Sequence, residues 1–409
     1  MEDRGNGSNP GDALLRCSTS VDLPLPKSPV THEWNLVVAA SSPEPRDRDL
    51  ARIRLLLEKP PDWDAVLRLA DQHGTSSLLF LSLSRVSELV PQAALASLRQ
   101  LYERNIHKSL LLTRELVRIL ECLDGLGVEV IPYKGVVLSE AYYGDAAMRQ
   151  SGDMDLFVRE QDVRRIQNAV RDLGYTVRVA IPDDAEADYI ASGYESTFDS
   201  PAGKNLLELQ WALQPRYYAV DFDMDGLFTR AVTVSLAGRK VRTPSAEDLL
   251  IVLSLHAAKH VWGRLIWLCD IAQIVKRENL NWDWVQSEAQ ELGVERILHI
   301  TMLLANRLLG ARIPATLEDA IRSDTASQAL AEQIVVSVAA GVCYEEEKLS
   351  YFRLMTRLRE RRADRVRFMA RLAFTPGPGE WEAIRLPRIL FPLYRVVRLG
   401  RLAARFARS

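Results

Sequence analysis

"RQSGDMDLFVRE", residues 149–160, is the stretch on which the reading of this chain turns. From Asp153 onward it reads as a strand. Side chains on a strand alternate between faces, so Asp153 and Asp155 point one way while Met154 and Leu156 point the other. Two carboxylates held so close repel. A site keeps both ionised when a divalent cation lies between them, and hard Mg²⁺ takes one or two carboxylates together with phosphate oxygens of a substrate. The pair therefore points to phosphoryl transfer on Mg²⁺ (or Mn²⁺), one ion activating the attacking oxygen and the other holding the triphosphate. Such sites usually take a third acid, and "LLELQW" at 206–211 supplies Glu208, with Leu207 and Leu209 expected to face the core and Glu208 to face away. Alone, an Asp-x-Asp fits the solvated edge of an ordinary strand equally well. Its surroundings decide.

Those surroundings alternate between strand and helix. "VEVIPYKG" at 128–135 is a short β-branched run ending at Pro132 and Gly135, and "VVLSEAYYG" behind it has helical spacing. Lys134 and Gly135 thus close a strand and open a helix, where backbone N–H groups and the helix dipole favour a phosphate. Arg149, four residues before Asp153, is placed to bring a guanidinium fork to the same point. "EQDVRRIQNAVRDLGY" returns to helical spacing, and "YESTFDS" with "LLELQWAL" reads as a hairpin. Before this unit, residues 47–126 carry apolar residues every third or fourth position. After "TPSAEDLL" the chain is helical to its end, broken by "TPGPGEW" at 375–381.

Composition narrows the class further. The 409 residues are 47% apolar, enough for more than one core, and 52 basic against 54 acidic residues leave a net charge of −2, so no global field favours nucleic acid as a partner. Four scattered cysteines without a C-x-x-C signal neither a zinc ribbon nor a disulfide framework, which fits a reducing compartment. With acids at the N-terminus and no apolar run of ~18 residues, a cytoplasmic protein is expected.

Together, the helix "LLLTRELVRILECLDGLG", the stretch "VEVIPYKGVVLSEAYYGDAAMRQSGDMDLFV", "LLELQW" and "HAAKHVWGRLIWLCDIA" resemble the uncharacterised nucleotidyltransferase family of the DNA polymerase β-like superfamily, with a fainter echo in "FTPGPGEWEAIRLPRILFPLYRVVR". The resemblance spans most of residues 60–400. It implies an α+β fold, a small mixed-sheet nucleotidyltransferase core flanked by N- and C-terminal helical regions. The expected divisions are a disordered tail (1–45), a helical region (46–126), the core (127–245), a helical domain (246–350) and a basic helical segment (351–409). It also implies metal binding and catalysis by Asp153, Asp155 and Glu208. Lys134, Gly135 and Arg149 would bind the nucleotide, with His256, Lys259, His260 and Arg264 closing over it. An NTP is the implied donor, and the acceptor is a small molecule, a peptide or a protein. Two positions depart from the pattern: Val136 stands where the superfamily usually has a second glycine or serine, and Gln210 where relatives tend to carry a histidine. Glutamine takes up no proton.

Other readings stay open beside this one. A nucleotidyltransferase fold retained as a non-catalytic binding module is one, and a transferase using its Asp-x-Asp to hold a sugar nucleotide is another, weakened by the largely helical chain before Asp153. His256 and His260 share a helical face, but "HAAKH" lacks the glutamate of a zincin and no third ligand is evident. Trp262, Trp267, Trp282 and Trp284 are expected in the core. Residues 351–409 hold fifteen arginines and no lysine against four acids, a local net of +11. In "LPRILFPLYRVVRLGRLAARFARS" arginines at 395, 398, 401, 405 and 408 recur at helical spacing. Such a helix packs on an acidic part of its own chain, makes peripheral contact with an anionic membrane, or holds nucleic acid.

Overall fold

The computed structural model describes residues 30–406 except 180, 182–185, 202, 204–205, 343–348, 376–379, 381–383, 385 and 387, and for 388, 389, 405 and 406 the backbone alone. A five-stranded mixed sheet lies at its centre: β1 (Val130–Pro132), β2 (Asp153–Val158), β3 (Thr176–Val177), β4 (Glu195–Asp199) and β5 (Leu206–Gln210), in the order β1-β2-β5-β4-β3. Among the described residues only β2 and β5 run parallel. A separate hairpin, β6 (Val232–Leu236) and β7 (Arg239–Thr243), packs beside β1, where Thr243 Oγ1 donates to the Pro132 carbonyl at 2.9 Å. The fold is α+β.

Helices surround the sheet. Before it come α1 (His32–Ala39), α2 (Asp47–Leu57), α3 (Trp63–Gln72), α4 (Ser76–Ser84) and α5 (Gln92–Gly125). Within it are α6 (Gly135–Tyr143), α7 (Val163–Asp172), α8 (Glu186–Ser192) and α9 (Met224–Arg230). After it follow α10 (Ala246–Lys259), α11 (Leu265–Arg277), α12 (Trp282–Leu292), α13 (Glu295–Leu309), α14 (Ala315–Ser323) and α15 (Thr325–Ala339). The end of the chain forms α16 (Leu349–Arg357), α17 (Arg362–Phe374) and α18 (Tyr394–Phe406).

The strand alternation read from "DMDLFV" sorts the sheet into two unlike faces. Met154, Leu156 and Val158 join Leu207, Leu209 and Phe198 in a core closed by Leu116, Ile119 and Leu123 of α5 and Val163, Ile166 and Val170 of α7. On the other face Ile131, Tyr133 and Phe157 meet a larger core made by the helices before and after the sheet together. Trp34 of α1, Leu79 of α4, Leu253 of α10, Ile271 of α11 and Leu304 of α13 all belong to it. The helical regions that flank the sheet before and after it thus share one core. α5 serves both cores along a single buried stripe, from Ala94 and Leu98 at one end to Leu120 and Leu123 at the other.

Two stretches differ from the sequence reading. Part of the expected tail is folded: Thr31 caps α1 by accepting from the Trp34 N–H at 3.1 Å, and Trp34, Leu36 and Val37 are buried. The first 29 residues of that tail, and the "PGPG" of the predicted break, lie outside the described residues. The hairpin β6–β7 falls in a segment that had not been read as strand. Its signal is the alternation "VTVSL" and "RKVRT" about a two-residue turn, Ala237 and Gly238, both at positive φ.

The basic end turns several arginines inward. Arg398 donates to the Leu372 carbonyl (3.1 Å) and pairs with the buried Glu380 (3.2 Å), which Arg401 also reaches at 3.4 Å. Arg371 binds Asp221 with two hydrogen bonds, at 2.6 and 2.8 Å. Val396 and Leu399 of α18, and Leu393 just before it, face outward. No helix among the described residues is long and apolar enough to cross a membrane.

Candidate active site

The parallel pairing of β2 with β5 sets the register of the acids. Asp155 lies opposite Glu208 and Asp153 opposite Leu206, so all three carboxylates stand on the face away from Met154 and Leu207. Asp155 is buried, and its Oδ1 accepts from Lys134 Nζ at 2.9 Å, with the ammonium also 4.7 Å from the Tyr133 ring centroid. Its second oxygen, Oδ2, is buried without a hydrogen-bond partner. Burial, and then the Asp155 charge, raise the pKa of Asp153. Burial and then Asp155, Glu195 and Asp153 raise that of Glu208 well above the usual carboxylate range. Lys134 is shifted the opposite way to what burial alone would do: the surrounding acids, Asp155 foremost, outweigh desolvation and hold it well above the ordinary lysine value.

Gly135 shows why glycine follows Lys134. It opens α6 at φ +62°, and a Cβ there would stand 3.1 Å from the Asp153 carbonyl oxygen. The first turn of α6 thus approaches the strand of acids so closely that a side chain there would be crowded as well as strained by the positive φ. Gln210 is the hub beside Glu208. Its Oε1 accepts from the Tyr133 hydroxyl (2.7 Å), and its Nε2 donates to Glu208 Oε2 (3.1 Å) and to Glu195 Oε2 (3.3 Å). Glu195, paired with Gln210 across β4 and β5, is a fourth acid of this face that the sequence reading did not single out. Period-two alternation along "ESTFD" opposite "LLELQ" is the signal that carries it.

Of the remaining predicted residues, Arg149 is buried beside the acids but its hydrogen bonds go elsewhere. Its Nε donates to both oxygens of Asp270 (2.9 and 3.0 Å) and its Nη1 to Ser151 (3.1 Å), while the Tyr143 hydroxyl gives Asp270 a further bond at 2.8 Å. His256 and His260 sit with ring centroids 4.9 Å apart, both against Trp267, and burial together with Lys134 lowers the His256 pKa well below its usual value. A neutral imidazole packed on tryptophan is the result. Lys259 lies 3.5 Å from the Tyr194 hydroxyl, which in turn donates to Glu195. Trp262 is buried, and Trp267, Trp282 and Trp284 pack against the same core.

Among the described residues no three His, Cys, Asp or Glu side chains are gathered tightly enough to hold a metal ion as they stand. Lys134 on Asp155 and Gln210 on Glu208 occupy two of the carboxylates. The donor set nevertheless fits a hard divalent cation: all-oxygen, mutually repelling, and with one buried oxygen left unbonded.

A small mixed sheet carrying three acids on adjacent strands, next to a Lys-Gly helix opening, defines a protein of the nucleotidyltransferase class. The sequence model described as "Uncharacterised nucleotidyltransferase" matches residues 59–310, well over half of the chain. The chain belongs to that family, which assigns it a general nucleotidyltransferase activity. No curated protein and no solved structure matches it.

Proposed function

We propose that the protein transfers a nucleoside monophosphate from an NTP to a hydroxyl or phosphate of a small molecule, peptide or protein, with Mg²⁺ or Mn²⁺ held by Asp153, Asp155 and Glu208. The observation that carries this reading is the register of β2 on β5, which sets Glu208 beside Asp155 on one face, with Asp155 Oδ2 buried and unbonded. An acceptor oxygen attacks the α-phosphorus in line; the new O–P bond forms as the bond to the β-phosphate breaks, and pyrophosphate leaves. The bound metal supplies neutralisation of triphosphate charge and a lowered pKa for the acceptor hydroxyl.

The chain's own residues do the rest. The first turn of α6, opened by Gly135, offers backbone N–H groups to a phosphate. Lys134 pairs with the buried Asp155, Nζ to Oδ1 at 2.9 Å, and holds that carboxylate in place. Gln210 fixes the orientation of Glu208 through its bond to the Glu208 carboxylate, with Tyr133 fixing Gln210 in turn. A sugar-nucleotide transferase is disfavoured, because β2 and β5 are the sheet's only parallel pair among the described residues and provide no nucleotide-binding βαβ array.

The test is incubation with each of the four labelled NTPs and Mg²⁺ or Mn²⁺. Metal-dependent pyrophosphate release or labelling of an acceptor, lost in Asp153→Ala and Asp155→Ala, is the expected result. Release that persists in both variants would overturn the assignment of the acids.

A further inference from the structure

Resting on the transferase reading, we infer that Lys108 of α5, joined by Arg264, which the family resemblance already sets over the nucleotide, binds the triphosphate in place of Lys134 and Arg149. The two expected cations already serve buried acids: Lys134 holds Asp155 and Arg149 holds Asp270, each pair almost wholly shielded from water. Moving either onto a phosphate would strand a buried carboxylate, which is costly. A polyphosphate needs other partners.

Lys108 and Arg264 stand ready on the Asp153 side of the site. Lys108 Nζ lies 3.7 Å from where a Cβ on Gly152 would be, immediately before Asp153. Neither side chain has a hydrogen bond or ion pair among the described residues, although both are half-buried. Burial lowers the pKa of each, and Asp153 is close enough to oppose that shift in both. Partly desolvated, unpaired cations on one side of a carboxylate cluster leave charge to be satisfied by an incoming anion.

The backbone that delivers Arg264 is itself strained. Val261 and Trp262 both adopt the left-handed region, at φ 51° and 50°, which a β-branched residue such as valine rarely enters. The turn is pinned on both sides. Trp262 donates its indole N–H to Thr301 Oγ1 at 3.0 Å, and the two amides after Arg264, of Leu265 and Ile266, donate to His73 Nδ1 (3.3 Å) and the His73 carbonyl (3.1 Å). Strain kept at a surface-reaching arginine is characteristic of a ligand clamp. The turn of α5 that leads to Lys108 is anchored by Asn105, which donates to Ser77 Oγ and to the Ala147 carbonyl.

The probe is inorganic tripolyphosphate with Mg²⁺, titrated calorimetrically into the full chain. Wild type should bind it, and Lys108→Gln or Arg264→Gln should each weaken binding by about tenfold or more. Lys108→Arg should restore binding, which a merely misfolded variant would not, and Lys59→Gln on the remote surface should leave it unchanged. Wild type that fails to bind tripolyphosphate, glutamine variants that bind it like wild type, or orthophosphate bound as tightly as tripolyphosphate would each overturn the inference. Tripolyphosphate binding lost in the glutamine variants, but with no turnover of any NTP by wild type, would uphold the anion site while removing the transferase reading.

Discussion

Two buried ion pairs lie close together on the same side of the sheet, Lys134 with Asp155 and Arg149 with Asp270, and they are finished to different degrees. Asp270 accepts from Arg149 Nε with both oxygens and from the Tyr143 hydroxyl, while Arg149 also reaches Ser151. Asp155 accepts from Lys134 with one oxygen and leaves the other unbonded, with Asp153 and Glu208 pressed against it. Sequence proximity suggested the reverse emphasis, with Arg149 at the chemistry. The satisfied pair is architecture, joining the β2 approach to α11. The unsatisfied one is where, on the proposed function, a ligand would complete the bonding, in keeping with the clustering of incompletely paired buried charge at functional sites.

Substitutions can break this contrast or sharpen it. Asp153→Asn should lower NTP turnover by about a thousandfold or more, equivalent to roughly 4 kcal/mol of transition-state stabilisation. Its urea-unfolding midpoint should not fall, since a repulsive charge has been removed. A large loss of stability would make Asp153 a structural residue. Asp270→Asn should do the opposite, costing about 3 kcal/mol of unfolding free energy by leaving Arg149 buried without its counter-charge. The double variant Arg149→Met with Asp270→Leu should be more stable than that single change, and failure to recover would show that the pair does more than balance charge.

Gly135→Ala ranks next. A left-handed φ for an L-residue and the contact with the Asp153 carbonyl should together cost about 1–2 kcal/mol in thermal or chemical unfolding, with turnover falling further than stability alone explains. The smallest effect concerns pH. Asp153 and Glu208 keep their protons to higher pH in the folded chain than in the unfolded one, so the metal-free protein loses stability as pH rises from the ordinary carboxylate range through their raised values. Mg²⁺ competes with those protons. The Mg²⁺-induced rise in Tm should therefore grow between about pH 5.5 and about pH 8, and an equal rise at both ends would exclude these acids as the metal ligands.

Much of this arrangement was legible in the sequence, and for local reasons. The faces of β2 and β5 follow from period-two alternation in "DMDLFV" and "LLELQ", and the α6 start follows from the run ending at Lys134 and Gly135. What could not be read depends on contacts between distant positions. Arg149 meets Asp270, 121 residues on, through an ion pair that leaves no local pattern. Lys108 looks like any polar residue of a long helix, and nothing in "HAAKHVWGR" reveals that Val261 and Trp262 turn left-handed to present Arg264. α1 was hidden by its Pro- and Ser-rich neighbours, although its apolar run "WNLVVAA" buries against the helical core.

The long helix α5 has a consequence for how the protein tolerates change. Its 34 residues span about 50 Å, and one stripe must face both cores while Lys108 points toward Gly152. Adding or deleting one residue between Leu98 and Leu112 would rotate everything downstream by about 100°, setting one core against the other. Loops elsewhere can lengthen freely, but this rod behaves as a fixed ruler, and lineages carrying the fold should vary its letters while keeping its count.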